Sequence, residues 1–323
     1  MGISYEFSLG SVRAKEKSLL TSADIEQMIN MKSEADLVRF LSDKGYGEGD
    51  NTDEIIASNT RKMWKYLNGI APSAEVFYPF LIQNDIHNIK TTLKGIMNEK
   101  KYEHLLIEPY TITPKLIKEA FENKKFSLFP EWVAKSAEEA YTLIARTKDA
   151  RLSDAVIDCA AFRKMLNDAD RAKSVFLKEY FSVLAFYADL KTALRAARTT
   201  TTVEYLERAI FETDGIDKKK LMQKTMAGSE QLLRYLDSIS AYDCKKAMAA
   251  FKEKPSELEK FVDNKLMSLA KKMCRITIEG PEPLFGYYLG CEYERRTIHI
   301  ISGGIKTQTP PEKIRGRLRE RYG

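Results

Sequence analysis

Helical periodicity with a cap at nearly every start, an almost complete lack of strand signals, and one phrase that recurs at a spacing near one hundred residues predict an all-α protein of three helical repeats. The phrase is Asn84–Asp85–Ile86–His87–Asn88–Ile89–Lys90–Thr91–Thr92–Leu93–Lys94–Gly95. Its first echo, Phe186–Ala196, lies 101 residues on and sets Leu190 on Ile89, Lys191 on Lys90, Thr192 on Thr91, Leu194 on Leu93 and Arg195 on Lys94. A weaker echo follows after a further 108 residues, where Thr297–Ile298–His299 falls on Asn88–Ile89–Lys90. Three such copies tile the 323 residues and suggest modules at 1–108, 109–206 and 207–323, each of ordinary domain size.

Taken in order, residues 4–20 suit a first helix, and Thr21 caps a second because its hydroxyl can accept from an orphan backbone amide. Ser33 opens a third that stops at Gly45, and residues 45–50 read as a plain flexible loop, since no strand precedes their glycines as a phosphate loop requires. A helix from Thr52 to about Gly69 precedes the long one at 73–98 that carries the phrase. On it Ile86, Ile89 and Leu93, with Ile96 or Met97, share one face, and His87, Lys90, Thr91 and Lys94 share the other. One side is expected to pack and the other to remain free.

Thr113–Pro114 caps and starts the next helix, followed by segments at 131–147, 154–167 and 169–198. The last repeats the phrase, with Tyr187, Leu190, Leu194 and Ala197 on an apolar side and Lys191, Arg195 and Arg198 at i, i+4 and i+7. Shorter amphipathic stretches at 203–211, 217–226, 230–239, 242–252 and 256–274 lead to a final long helix, expected to begin near Pro281 and to stop at Ser302–Gly303–Gly304. Thr309–Pro310–Pro311 starts a terminal helix bearing Lys313, Arg315, Arg317, Arg319 and Arg321, with Ile314 and Leu318 turned inward. Arg275–Ile278 alone has strand composition, and it is too short to seed a sheet.

Composition narrows the function. Lys and Arg number 52 against 46 Asp and Glu, so the net charge of +6 is spread over a mixed surface rather than concentrated as a dedicated nucleic-acid binder needs. The four cysteines stand singly, without a metal-ligand pattern, and read as reduced core thiols of a cytosolic compartment. No apolar run reaches transmembrane length, the N-terminus lacks a signal-peptide pattern, and Met1–Gly2 is not an acylation signal because Glu6 stands where Ser or Thr is wanted. No nucleophile with a base, phosphate loop or ligand cluster is found, so no catalytic residue, cofactor or metal site is expected. His87, His104 and His299 are read as surface or capping residues, and Asp168 and Asp170 as carboxylates at a helix start. What remains is the basic row on successive long helices: Lys90 and Lys94, then Lys191, Arg195 and Arg198, then Arg295 and His299. Repetition of such a row points to a shared surface and a macromolecular partner.

Residues 281–294, Pro-Glu-Pro-Leu-Phe-Gly-Tyr-Tyr-Leu-Gly-Cys-Glu-Tyr-Glu, together with Thr297–Gly303 and Pro310–Arg315, resemble the C-terminal motifs of the C subunits of V/A-type rotary ATPases, the counterparts of the d subunits in eukaryotic vacuolar ATPases. The phrase at 84–94 and its echo at 189–195 are similar to that family's internal repeats. Thr297 and His299 stand where the family usually has Asn and Arg, and Cys291 where Lys is common, so the third copy is less charged. The resemblance implies three helical bundles in a pseudo-threefold funnel without catalysis. It also implies a place at the cytoplasmic face of the membrane, between the D and F subunits of the central stalk and the proteolipid ring, with torque passing between ATP turnover and H⁺ or Na⁺ movement. Lys90, Lys94, Lys191, Arg195, Arg198, Arg295 and His299 are then expected to line the funnel and meet the stalk or ring. Neither nucleic acid nor a small-molecule substrate is implied. The rival reading, a helical nucleic-acid adaptor using the same rows, lacks aromatics interleaved with the basic residues.

Overall fold

The computed structural model describes residues 3–323; Met1 and Gly2, where an acylation signal would fall, lie outside them. The described residues form sixteen α-helices and no β-strand, so the protein is all-α. They divide into two compact units, one comprising the described residues up to Val76 with Lys254–Gly323, the other Phe77–Glu253.

The first unit opens with α1 (Tyr5–Glu16), α2 (Ser22–Ile29), α3 (Glu34–Asp43) and α4 (Thr52–Ile70). Ser4, Thr21, Ser33 and Asn51 cap these four by accepting a backbone N–H from the first turn, and each such cap contributes about 1 kcal/mol.

The second unit holds α5 (Tyr78–Met97), α6 (Pro114–Glu122), α7 (Glu131–Thr147), α8 (Ala150–Arg171), α9 (Val175–Ala196), α10 (Val203–Ala209), α11 (Lys218–Met226), α12 (Ser229–Asp237) and α13 (Cys244–Glu253). Within it α5 packs on α6, α7 and α8, burying Ile89 and Leu93 against Ile117, Phe121, Val133 and Ile157. The other long helix, α9, packs on α8, α10, α11 and α12. Its Tyr187 hydroxyl donates to the Tyr242 carbonyl at 2.6 Å.

The chain then returns to the first unit with α14 (Pro255–Cys274), α15 (Glu282–Lys306) and α16 (Pro311–Arg317). Here α15 is the central helix, in contact with α1, α2, α3, α4, α14 and α16. Ile298 and Ile301 bury against Met28, Leu37, Leu41, Ile55 and Ile314, each large apolar side chain contributing about 2 kcal/mol by leaving water.

Several sequence expectations are corrected. Helix α15 runs through Gly303–Gly304 to Lys306. Gly304 serves close approach rather than termination, since a Cβ there would lie 2.5 Å from Ile314 Cδ1. Helix α8 extends to Arg171, placing Asp168 and Asp170 in its last turn rather than at a helix start. They hold Lys164 and Lys178 in ion pairs, and the break falls where Lys173 takes a positive φ of 52° before the Ser174 cap. Residues 275–278 form no strand, as their shortness leads one to expect, and Arg13 Nη2 donates to the carbonyls of Cys274, Arg275 and Thr277 at 2.9, 2.6 and 3.2 Å. The glycine loop at 45–50 is pinned by Tyr46, which is 5% exposed.

The terminal arginines hold the first unit together. Arg315 grips Glu26, Arg319 pairs with Asp263 at 3.0 Å, and Arg321 donates to the Leu20 carbonyl at 2.8 Å. Ile314 is buried and Leu318 packs against the same core, as the inward face of the terminal segment requires.

Candidate functional site

The three copies of the repeated phrase lie on the long helices α5, α9 and α15, yet their basic side chains meet different surroundings. On α5, Lys90 Nζ donates to Asp158 Oδ1 at 2.6 Å and Lys94 Nζ to Asp154 Oδ2 at 3.1 Å. Both lysines are half-buried and both carboxylates come from α8. Burial pushes the Asp158 carboxyl above its ordinary range although the Lys90 ammonium opposes the shift. The expectation of a free side on α5 is thereby corrected. His87, Lys90, Thr91 and Lys94 are all half-buried, and His87 Nε2 bonds the Leu105 carbonyl at 2.9 Å.

On α9 the row is more open. Arg195 and Arg198 are exposed and Lys191 is half-buried. The Arg198 guanidinium lies 4.7 Å from the Phe251 ring centroid, a cation–π contact that orients the group without neutralising it. On α15, Arg295 reaches back to Glu292 at 2.7 Å and His299 Nδ1 lies 3.7 Å from Asp53. Burial, and then the nearby Arg295 charge, hold the imidazole below its ordinary pKa.

A second row on the same helices is one that reasoning from basic residues alone misses. Asp85 of α5 is fully buried and accepts from the Thr111 and Ile112 amides at 2.8 and 3.0 Å. Asn88, also fully buried, exchanges two bonds with the Ile107 backbone. On α9, Asp189 is 1% exposed and accepts from the Phe211 and Glu212 amides. On α15, Glu294 accepts from the Leu20 amide through one oxygen and from the Tyr46 hydroxyl at 2.7 Å through the other. Burial raises all three carboxyl groups, Asp189 to about 6 and Glu294 to about 7. Each long helix thus uses a poorly solvated acid to hold a segment that leads toward another helix. A signal exists in the letters: Asp189 occupies the repeat position of Asn88, and Glu294 that of Asp85.

Among the described residues no group of three or more His, Cys, Asp or Glu is placed to hold a metal ion, and no helix is long and apolar enough to cross a membrane. Cys244, Cys274 and Cys291 are buried free thiols, and burial raises the pKa of each, which makes them poor nucleophiles.

A family model described as ATP synthase (C/AC39) subunit matches residues 9–317. The C subunit of the V-type sodium ATPase of Enterococcus hirae is 18% identical over 318 residues, covering 96% of this chain and 97% of that protein. The C subunit of the A-type ATP synthase of Methanocaldococcus jannaschii is 23% identical over 346 aligned positions, covering 97% of this chain and 86% of its own. With a match running almost from end to end over an all-helical fold, the chain belongs to the ATP synthase C/AC39 subunit family.

Proposed function

We propose that this protein is a non-catalytic adaptor in the rotor of a V/A-type ATPase. It joins the D/F central stalk to the proteolipid ring at the cytoplasmic face of the membrane and passes torque between ATP hydrolysis or synthesis and H⁺ or Na⁺ translocation. The observation that carries this reading is the family match over residues 9–317, supported by relatives that are themselves the C subunits of a V-type and of an A-type complex. The packing suits a torque-bearing part, because close-packed helices resist deformation and their connections are stapled by the Asp85, Asp189 and Glu294 bonds.

In this reading the modules 1–108, 109–206 and 207–323 form a pseudo-threefold funnel, and Lys90, Lys94, Lys191, Arg195, Arg198, Arg295 and His299 face the stalk or the ring. Arg195 and Arg198, both exposed, make the strongest contribution to that contact. Three modules holding one partner gain by multivalency, so no single contact has to be strong.

The direct test is co-purification from detergent-solubilised membranes with a small proteolipid and a coiled-coil protein of the stalk; recovery of the chain alone would contradict the proposal. Charge reversal at Lys191 and Arg195 is expected to weaken stalk binding at least tenfold at low salt and less at high salt, where screening already mutes the attraction. Binding that is unchanged at both ionic strengths would remove these residues from the contact.

A further inference from the structure

The first unit contains a cavity of about 190 Å³ that the adaptor reading does not use. Lys15 from α1, Lys44 at the end of α3 and Lys62 from α4 border it, Tyr66 and Tyr287 wall it, and Glu294 stands beside Tyr46 in its lining. Lys44 is paired with Asp24 at 2.6 Å and Lys62 reaches only a neutral acceptor, the Gly45 carbonyl at 3.2 Å. The Lys15 ammonium lies 5.8 Å from the Tyr66 ring centroid, a contact that leaves its charge intact. Three cations are therefore drawn from three separate helices to one recess, and only Lys44 is held in an ion pair there.

We propose that this recess binds a soluble phosphate monoester, its phosphoryl oxygens against the lysines and its organic body against Tyr66. Lysine favours phosphate over carboxylate here because compact, rotatable ammonium groups can surround a tetrahedral dianion, whereas planar carboxylates suit the arginine fork. The half-buried Tyr66 ring beside that cluster offers apolar area to the group the phosphate carries, and Tyr287, buried behind it, supports that wall. The edge-to-face packing of Tyr66 on Tyr287, centroids 5.7 Å apart, holds the wall in place.

Glu294 is the one carboxylate in the lining, and its environment determines how the site responds to pH. Its carboxyl accepts from Leu20 and Tyr46, and its pKa is raised to about 7 by burial. The charged and titratable groups around it are Asp24, Lys15 and Lys44 from the N-terminal helices, Lys62 and Tyr66 from α4, Tyr287 and Cys291 on its own helix, and Arg321. A bound dianion favours the protonated form of Glu294, so phosphate binding takes up a proton and affinity falls as pH rises through about 7.

The test is calorimetric titration of the full chain with phenyl phosphate and with inorganic phosphate at pH 6.5. Phenyl phosphate should bind more tightly, and the double substitution Lys15→Ala with Lys62→Ala should weaken it at least tenfold. Both lysines are exposed, so the variant folds. Arg61→Ala with Lys65→Ala removes the same charge from α4 residues outside the lining and should leave affinity within twofold. Glu294→Gln should retain binding and remove most of its dependence on pH between 6 and 8. The proposal is overturned if the wild-type chain binds neither probe at millimolar concentration, or if the outside pair weakens binding as much as the lining pair. Displacement of phenyl phosphate by vesicles of phosphatidic acid would overturn the assignment to a soluble ligand.

Discussion

Helices α5 and α15 carry the same repeated phrase and solve the same problem differently. At the shared position α5 has Asp85, sealed from water and bonded to the Thr111 and Ile112 amides and the Thr111 hydroxyl. At that position α15 has Glu294, only partly buried, bonded to Leu20 and Tyr46 and bordering a cavity. A short side chain among fixed donors makes a clasp sealed from water. A longer one beside a water-accessible recess makes a clasp that can change its protonation state.

The largest effect that tests this contrast is truncation of the sealed member. Asp85→Ala leaves the buried Ile112 amide without an acceptor and opens a void, and at about 1–3 kcal/mol for each unsatisfied buried group the loss should total about 3 kcal/mol by urea unfolding. Asp85→Asn keeps one acceptor and should cost roughly a third of that. Equal losses for the two variants would mean that the carboxylate with both its acceptor oxygens is required, because Asn keeps the volume and one acceptor.

Glu294 should show its effect through pH. Its folded pKa, raised to about 7, lies above the ordinary 4.5, so the folded state binds the proton more tightly than the unfolded chain. Stability from this group is therefore fully present below about 4.5 and is lost as pH rises through about 7. At 1.36 kcal/mol per pKa unit the full difference is about 3 kcal/mol, and water in the recess reduces it to roughly 1–2 kcal/mol. Glu294→Gln should thus gain on wild type between pH 5 and pH 8, and a constant difference across that range would show that the clasp does not titrate. Asp189, raised to about 6, contributes in the same direction but completes its loss at lower pH.

The extent to which this is legible in the sequence follows from what kind of signal each feature leaves. A helix with a clear start and an uninterrupted apolar row, such as 131–147 after Pro130, is bounded to the residue because breaker and period agree. Boundaries fail where a residue serves tertiary contact: Gly304 reads as a stop but admits Ile314, and Asp168 reads as a first-turn acid but holds Lys164 within α8. Periodicity in the letters also does not say which neighbours a long helix packs on. In the structure α5 packs on α6, α7 and α8, which follow it in the chain, and α15 packs on α1 to α4, which precede it by more than two hundred residues. The basic rows are visible as letters, but their partners Asp154 and Asp158 lie on a different helix, beyond the reach of any local pattern.

The smallest effects separate the two basic rows. Lys90 neutralises a half-buried carboxylate, so Lys90→Ala strands Asp158 and should cost about 1 kcal/mol of stability, less than a fully buried pair would because water still reaches it. Arg195 is exposed, and Arg195→Ala should change stability by less than about 0.5 kcal/mol, as surface substitutions usually do. Affinity for the stalk proteins should rank them the other way, with Arg195→Ala weakening binding more than Lys90→Ala. Chemical unfolding and a binding titration on the same two variants give a four-way comparison. If Arg195→Ala lost stability while Lys90→Ala lost binding, α5 rather than α9 would present the contact surface, and the α8 carboxylates would have to release their lysines when the partner binds.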